Sequence, residues 1–330
     1  MREVAERAGV AMSSVSRVLA GHPDVSTAMT EKVVRAVEEL DYRPDILAQS
    51  LRRRETLSVG FVVGDISNPL VAEIVTGAES TLNANGYSML LTNSLGDPEL
   101  EAAHIGLLAR RRVDGLVISV LDESHAEALG KLRELDIPIV VLDRNVPAEI
   151  AVSRVLSDHR SGMKAAGLHL LGLGHRRLGL IAGAAVRPTL ERRAGLEAAF
   201  AELGLPASYT VDEGVFSVEH GAEAMRRLLA LREPPTAVIA GGNQLMLGAL
   251  RVVSARGLRL GHDLSFVGCD DVAIADLFQP PIAVVRRDNV AMGRTAAELL
   301  LALLRHDAPP SDVVLPTEFV ARPSCGPPAR

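Results

Sequence analysis

Hydrophobic positions near the start of the chain recur at helical spacing. Val4, Ala5 and Ala8 make one apolar stripe; Val15, Val18 and Leu19 make a second. Gly9 stands between them where a tight turn needs a positive φ, and Val10 is placed to enter the core behind it. The pattern predicts two short helices joined by a glycine turn. On the second, Met12, Ser13, Ser14, Ser16 and Arg17 fall away from the apolar stripe. Ser26 is placed to cap a third helix, on which Val33, Val34, Val37 and Leu40 recur every three to four residues.

From Leu57 the texture changes. LSVGFVV (57–63), YSMLL (87–91), VDGLVIS (113–119) and IPIVVLD (137–143) read as buried strands, separated by helices over 70–85, 98–111 and 123–135. Asn68-Pro69 and Asp97-Pro98 each pair an N-cap with Pro at the first helical position. A second set follows: AVSRVLS (151–157), RLGLIAG (177–183), TAVIAG (236–241), LSFVGC (264–269) and IAVVRR (282–287), with helices between. Such alternation predicts parallel sheets with right-handed crossovers. The pattern restarts near Asp158, which predicts two α/β lobes with a ligand cleft at the carboxyl ends of the strands.

Composition narrows the function classes. The 330 residues carry a net charge of −6, so the chain is no uniformly basic nucleic-acid coat. Residues 1–54 hold 9 Lys/Arg against 8 Asp/Glu, whereas the remainder holds 26 against 33. Only the N-terminal segment, with its Arg52-Arg53-Arg54 cluster, therefore escapes overall repulsion from phosphate. Two lone cysteines, no signal-type apolar segment and no apolar run of eighteen residues predict a reduced, cytoplasmic setting without membrane spanning.

Two helices joined by a glycine turn form a helix-turn-helix, whose second helix matches the width of the DNA major groove. Hydroxyls suit phosphates or either base, and Arg reads guanine best. The plain alternative is a small helical hairpin with a solvated face. Beyond Tyr42-Arg43-Pro44-Asp45, the segment Ile46–Leu51 has room for barely two helical turns. Alone it reads first as an interdomain linker; the alternative is a helix that folds on a partner, with Leu51 as a minor-groove wedge.

The strand ends facing the predicted cleft carry Asp65 and Asn68, Asp143-Arg144, Asp158-His159, Gly242-Asn243-Gln244 and Asp270-Asp271. Arg192 is placed at the start of the exposed face of the helix after RLGLIAG. Carboxylates, amides and an Arg converging on one cleft suit a polyhydroxylated or amide-bearing molecule, although each taken singly reads as a cap or turn. Phe216 is either a stacking platform or a core residue. No GxSxG, GxxxxGK[ST], HExxH or strand-linked GxGxxG occurs, and His169 and His175, six apart, do not share a helical face for a metal. Neither an enzyme nor a cofactor is predicted.

In combination the sequence resembles the lactose-repressor/galactose-repressor (LacI/GalR) family of bacterial transcriptional regulators. The carriers are VAERAGVAMSSVSRVLAG, YRPDILAQSLRR, DISNPL, LGLGHRRLGLIAG, LSFVGCDDVAIADLFQPPIAVVRRDNVAMGRTAAELLL and VLPTEFVARPS, in family order along nearly the whole chain. The resemblance implies a small all-α helix-turn-helix head (1–43) and a hinge helix (44–56). A two-lobe α/β effector domain like periplasmic binding proteins follows (57–330), its second lobe mainly 159–285, with C-terminal segments crossing between lobes. It implies a homodimer, or a higher assembly, on a palindromic operator. Met12, Ser13 and Arg17 match base-reading positions, Ser14 and Ser16 phosphate contacts, and Leu51 and Arg52 the hinge, so here the wedge reading overtakes the linker. Arg192, Phe216 and Asp270 match effector-holding positions. Asp65, Asn68 and Asn243 line the same cleft, whose ligand is expected to be a sugar, though nucleobases and other metabolites suit the same architecture. A solute-binding protein of the same two-lobe fold, without DNA function, is the alternative.

Three features depart from the family pattern. The segment begins at Met1, about three residues later than usual, and lacks the usual cap of the first helix, a loss of about 1 kcal/mol. Ala11 stands where a Ser usually caps the recognition helix, which predicts a start shifted to Ser13 or Ser14. Gly242-Asn243 stands where Asn-Asp is common, which changes one ligand-bonding group.

Overall fold

The computed structural model describes residues 1–19, 24–42 and 55–329, in two compact units, Met1–Thr56 and Leu57–Arg330. In the first, α1 (Arg2–Ala8), α2 (Met12–Leu19) and α3 (Thr27–Glu39) enclose a core of Val4, Ala5, Val15, Val33 and Ala36. Gly9 ends α1 at φ 64°, and Val10, Val18 and Leu19 pack against the core. Arg7 Nε donates to Glu39 Oε2 at 2.6 Å, tying α1 to α3. Met1 occupies the cap of α1 without a side-chain hydrogen bond, and Ser26 Oγ accepts the Met29 N–H at 3.4 Å.

Two expectations for this unit change. Val34 and Leu40 are exposed, and Ala36 takes the inward place. Val34 lies a hundred degrees around α3 from Val33, and Leu40 sits past the last helical turn. The second helix also begins at Met12 rather than at Ser13 or Ser14. The carbonyl of Ala11 takes the N–H groups of Ser14 (2.9 Å) and Val15 (3.2 Å), so the backbone makes the start without a side-chain cap there. The predicted hinge helix, with Leu51 and Arg52, lies outside the described residues.

In the second unit the chain runs β1 (Ser58–Val63), α4 (Pro69–Ala84), β2 (Ser88–Asn93), α5 (Pro98–Arg110), β3 (Gly115–Ile118), α6 (Ala126–Glu134), β4 (Ile139–Leu142) and β5 (Ser153–Ser157). Next come α7 (His159–Gly172), β6 (Leu178–Ala182), α8 (Arg187–Glu202), β7 (Tyr209–Glu213), α9 (Val218–Leu229), β8 (Ala237–Ala240) and α10 (Asn243–Ala255). The last elements are β9 (Ser265–Cys269), α11 (Ala273–Leu277), β10 (Ala283–Arg286), α12 (Asn289–Leu304), β11 (Asp312–Leu315) and β12 (Glu318–Val320). They build two six-stranded sheets, ordered β11-β5-β4-β3-β1-β2 and β12-β10-β9-β8-β6-β7. Every pairing is parallel except β10 with β12.

The two orders are the same design used twice: β1 corresponds to β6, β4 to β9, β5 to β10 and β11 to β12. The segment AVSRVLS does not open the second set, as its place after the first four strands suggested. As β5 it pairs with β4 (Val141 with Arg154) and finishes the first sheet before the chain crosses over. Apolar clusters cover both faces of each sheet, which is why these strands read as continuous hydrophobic runs. On one face of the first sheet α4 and α12 approach closely. A Cβ on Gly293 would stand 1.8 Å from the Ile74 carbonyl, and one on Gly77 2.1 Å from that of Val290. Right-handed parallel crossovers bring the helix N-termini to the carboxyl ends of the strands. There Asn68 caps α4, Asp158 caps α7 and Asp288 caps α12.

Candidate functional site

In the first unit the polar positions of α2 lie on its open side. Met12 is 50 % exposed, Ser13 and Arg17 are exposed, and Ser14 and Ser16 are half-buried, while Val15 on the opposite side is sealed in the core. Apolar spacing forces this division, because a helix with one buried stripe presents the remainder outward.

In the second unit a buried polar network joins the ends of β4, β5, β9 and β10. Asp143 follows β4 at φ 53°, with its N–H bonded to Val155 O in β5. Its Oδ1 accepts from Ser157 N (3.0 Å) and Arg187 Nη1 (3.1 Å), and its Oδ2 from His159 Nε2 and Arg287 Nη1 (2.7 and 2.6 Å). Arg287 also reaches Asp270 Oδ1 through Nε at 3.0 Å. Asp270 follows β9 at φ 75°, and its N–H bonds Val285 O in β10. One guanidinium thus spans two aspartates from the two lobes.

The burial of this network decides its charge states. Burial alone would raise the Asp143 carboxyl, but His159, Arg287 and the Ser157 N–H outweigh it and hold it well below the usual carboxylate range. Burial pushes His159 down to about 4 against the pull of Asp143, so at neutral pH the ring is uncharged and donates through Nε2. Burial also lowers Arg287, yet Asp270 and Asp143 together hold it above its ordinary value. Arg144 ends below its ordinary value, because burial exceeds the pull of Asp143 and Glu123. Its Nη1 donates to the Asp143 carbonyl at 3.0 Å, and its buried Nε has no hydrogen-bond partner.

The expected cleft residues gather here in part. Arg192 is not on an exposed face: it is 5 % exposed and donates Nη1 to Gly241 O at 2.7 Å, since that side of α8 lies against the loop after β8. Asn68 and Asn243 exchange amide hydrogen bonds, Asn243 Nδ2 to Asn68 Oδ1 at 2.6 Å, across the lobes. Phe216 packs between the loops after β6 and β8. A Cβ on Gly183 would stand 2.2 Å from its ring, and one on Gly242 3.3 Å. Asp65 closes a local turn, accepting from Ser67 N and Oγ at 2.9 and 2.7 Å. His175 is a satisfied core residue, bonded to Thr236, Ser265 and the Gly326 carbonyl.

Sequence reasoning singled out Asp143 and His159 only as strand ends, and it missed Arg187, Arg287 and Glu123. Glu123 Oε1 accepts the Arg187 and Asn145 N–H groups, both at 2.9 Å, joining the lobes again. The available signal was the apolar run Ile282-Ala283-Val284-Val285 leading directly into Arg286-Arg287.

Comparison with known proteins spans nearly the whole chain. Residues 1–45 match the bacterial regulatory proteins of the lacI family, and residues 168–325 a periplasmic binding protein-like domain. An HTH-type transcriptional repressor PurR of Haemophilus influenzae (strain PittEE) is 34% identical over 310 residues, 93% of this chain and 91% of that protein. The same-named repressor of Mannheimia succiniciproducens is 31% identical over 98% of both. The lac repressor dimer bound to operator and the anti-inducer ONPF superposes with a TM-score of 0.84, at 29% identity over 97% of each chain. A complex of the transcriptional regulator CelR with cellobiose gives 0.75, at 33% identity over 98% of each.

Proposed function

The chain belongs to the LacI family of bacterial regulatory proteins, and from that premise we propose how its residues share the work of an effector-controlled transcriptional repressor. The match of head and two-lobe domain together, in one chain, carries this reading. Residues 1–43 act as the DNA-binding head, 44–56 as the hinge and 57–330 as the effector domain. Met12, Ser13 and Arg17 read base edges, and Ser14 and Ser16 hold phosphates. Leu51 enters the minor groove as a wedge, and Arg52 contacts the DNA. Two copies of the chain pair on a palindromic operator, as two-fold symmetry requires.

The effector sits where the strands of both lobes end, against Arg192, Phe216, Asp270 and Asn243, with Asp65 and Asn68 on the rim. The cellobiose held by one solved relative supports a sugar. Binding biases the pose of one lobe against the other and, through the hinge, the spacing of the heads. Coupling of that kind is reciprocal, so operator DNA changes effector affinity by the same factor. The named relatives are repressors rather than enzymes, and the cleft here binds without turnover. As a bacterial regulator acting on DNA, the protein works in the cytoplasm. No helix among the described residues is long and apolar enough to cross a membrane.

The test is Arg17→Ala. Loss of one bidentate guanine contact costs about 1–3 kcal/mol, roughly fivefold to 150-fold in specific operator affinity. Fluorescence anisotropy against a nonspecific duplex measures it. An unchanged affinity ratio between operator and nonspecific DNA would falsify the recognition role.

A further inference from the structure

We propose that two reciprocal latches tie the lobes across the cleft, Glu123 on the first N–H of α8 and Asn68 on Asn243, and that a ligand enters or leaves only when both release. The proposal rests on the reading of this cleft as the effector site and names the gate to it. Among the described residues no apolar cluster of the second unit draws on both sheets: each of the four lies against β1–β5 with β11 or against β6–β10 with β12. The lobes therefore meet through polar groups, and polar interfaces of that kind part at modest cost. The Asp143 network sits where the chain crosses between lobes, after β5 and after β10, so it stays near the pivot of any opening. The latches lie farther out. Glu123 and Asn68 follow β3 and β1, two and three strands along the sheet from β5, which is about 10–15 Å.

The latches are two copies of one contact. In the repeated design β1 corresponds to β6 and β3 to β8. Asn68 after β1 meets Asn243 after β8, at 2.6 Å from Nδ2 to Oδ1; Arg187 after β6 meets Glu123 after β3. At the second latch the backbone of α8 decides the fit. Pro188 has no N–H, and the N–H groups of Thr189 and Leu190 both bond the Val186 carbonyl, at 2.9 and 3.2 Å. That leaves the Arg187 N–H, which no capping side chain of its own lobe takes, and Glu123 Oε1 accepts it at 2.9 Å. A helix of one lobe is thus capped by a carboxylate of the other, and parting the lobes uncaps it. Glu123 is held ready for this role. On one side the Leu121 N–H donates to the Glu101 carboxyl at 3.1 Å; on the other Asp122 Oδ1 accepts from Ser124 N and Oγ at 2.8 and 2.6 Å. The Asn145 N–H, from its own lobe, bonds the same Glu123 oxygen at 2.9 Å and keeps it in place when α8 moves away.

Hydrogen exchange on the full chain, with no ligand added, tests the gate. The Arg187 N–H, followed in overlapping peptides across 184–190, exchanges about fivefold or more faster in Glu123→Ala and by a similar factor in Asn243→Ala. The second response is the diagnostic one, because Asn243 bonds no group of α8 and reaches it through parting of the lobes. Val117 and Val238, in the core strands of the two lobes, keep their protection, which marks separation rather than unfolding. Glu123→Gln, which retains an acceptor oxygen, keeps part of the Arg187 protection. Nitroxide labels on Ala103→Cys and Glu219→Cys, at exposed positions of α5 and α9 in the two lobes, report the motion in a Cys325→Ser background. With labelled chain diluted into unlabelled chain, the double variant Glu123→Ala/Asn243→Ala adds a longer distance to the wild-type one. Faster Arg187 exchange in Glu123→Ala alone, with Asn243→Ala at the wild-type rate, overturns the gate and leaves two local contacts. An unchanged distance in the double variant overturns it as well. Since neither measurement uses a ligand, failure of the gate and failure of the effector reading are told apart.

Discussion

Asp143 and Asp270 stand at the same point of one design used twice. Each follows the fourth strand of its lobe, adopts a positive φ, and bonds its N–H to the third residue of the next strand. Beyond that next strand each lobe places a capping aspartate, Asp158 or Asp288, and a buried first helical residue, His159 or Asn289. There the copies part. His159 turns to its own aspartate, whereas Asn289 donates to Glu73 and leaves its Oδ1 without a hydrogen bond. Asp143 is saturated by four donors from both lobes, and Asp270 has a single one, Arg287. Repetition supplied two equivalent carboxylates; one became the anchor that ties the lobes, and the other shares only Arg287 with it.

Removing the anchor is expected to have the largest effect. Asp143→Ala takes the only close carboxylate from half-buried Arg187 and leaves Arg287 with Asp270 alone, and costs about 3–5 kcal/mol in urea unfolding of the effector domain. Asp270→Ala, which frees one hydrogen bond of an arginine still held by Asp143, costs about 1–3 kcal/mol. Equal losses would show that the two sites do the same structural work.

Next in size is the response to acid. Burial holds His159 at about 4 against an ordinary 6.5, so the unfolded chain takes up its proton first. The His159 contribution is therefore complete above pH 6.5 and is lost as pH falls toward 4, by up to about 3 kcal/mol. Glu101 opposes it. Burial pushes that carboxyl up to about 7, against the hydrogen bond from the Leu121 N–H, so its effect on stability is adverse as pH rises from 4.5 toward 7. In a Glu101→Gln background the acid slope is carried by His159 together with His169 and His175, which burial also lowers, and His159→Gln removes the His159 share. No counterpart is expected from the Asp270 side, where the equivalent residue is Asn289.

The smallest effect should be equal in both copies. Asp158→Ala and Asp288→Ala each delete a helix cap, at 3.0 Å to Ser161 N and 2.7 Å to Ala291 N. Each loses about 1 kcal/mol. A clear inequality between these two would mean that the lobes differ in their shared frame as well as in their clefts.

Local chemistry made much of this molecule readable in advance. Nine apolar runs became strands, Asn68 and Asp97 became caps backed by Pro69 and Pro98, and Ser26 capped α3. The strands that went unread, β7, β11 and β12, are sheet edges. Asp312–Leu315 alternates exposed and half-buried positions and Tyr209–Glu213 mixes them with none fully buried, so they lack the continuous hydrophobic run of a strand buried on both faces. Helical and strand periods are properties of neighbouring residues, and the chain states them wherever one face is dry. The cleft obeys no such rule. Arg287 meets Asp143 across 144 residues, and Asn68 meets Asn243 across 175. Which arginine meets which carboxylate depends on where two separately built sheets bring their strand ends, and the tertiary structure alone decides that.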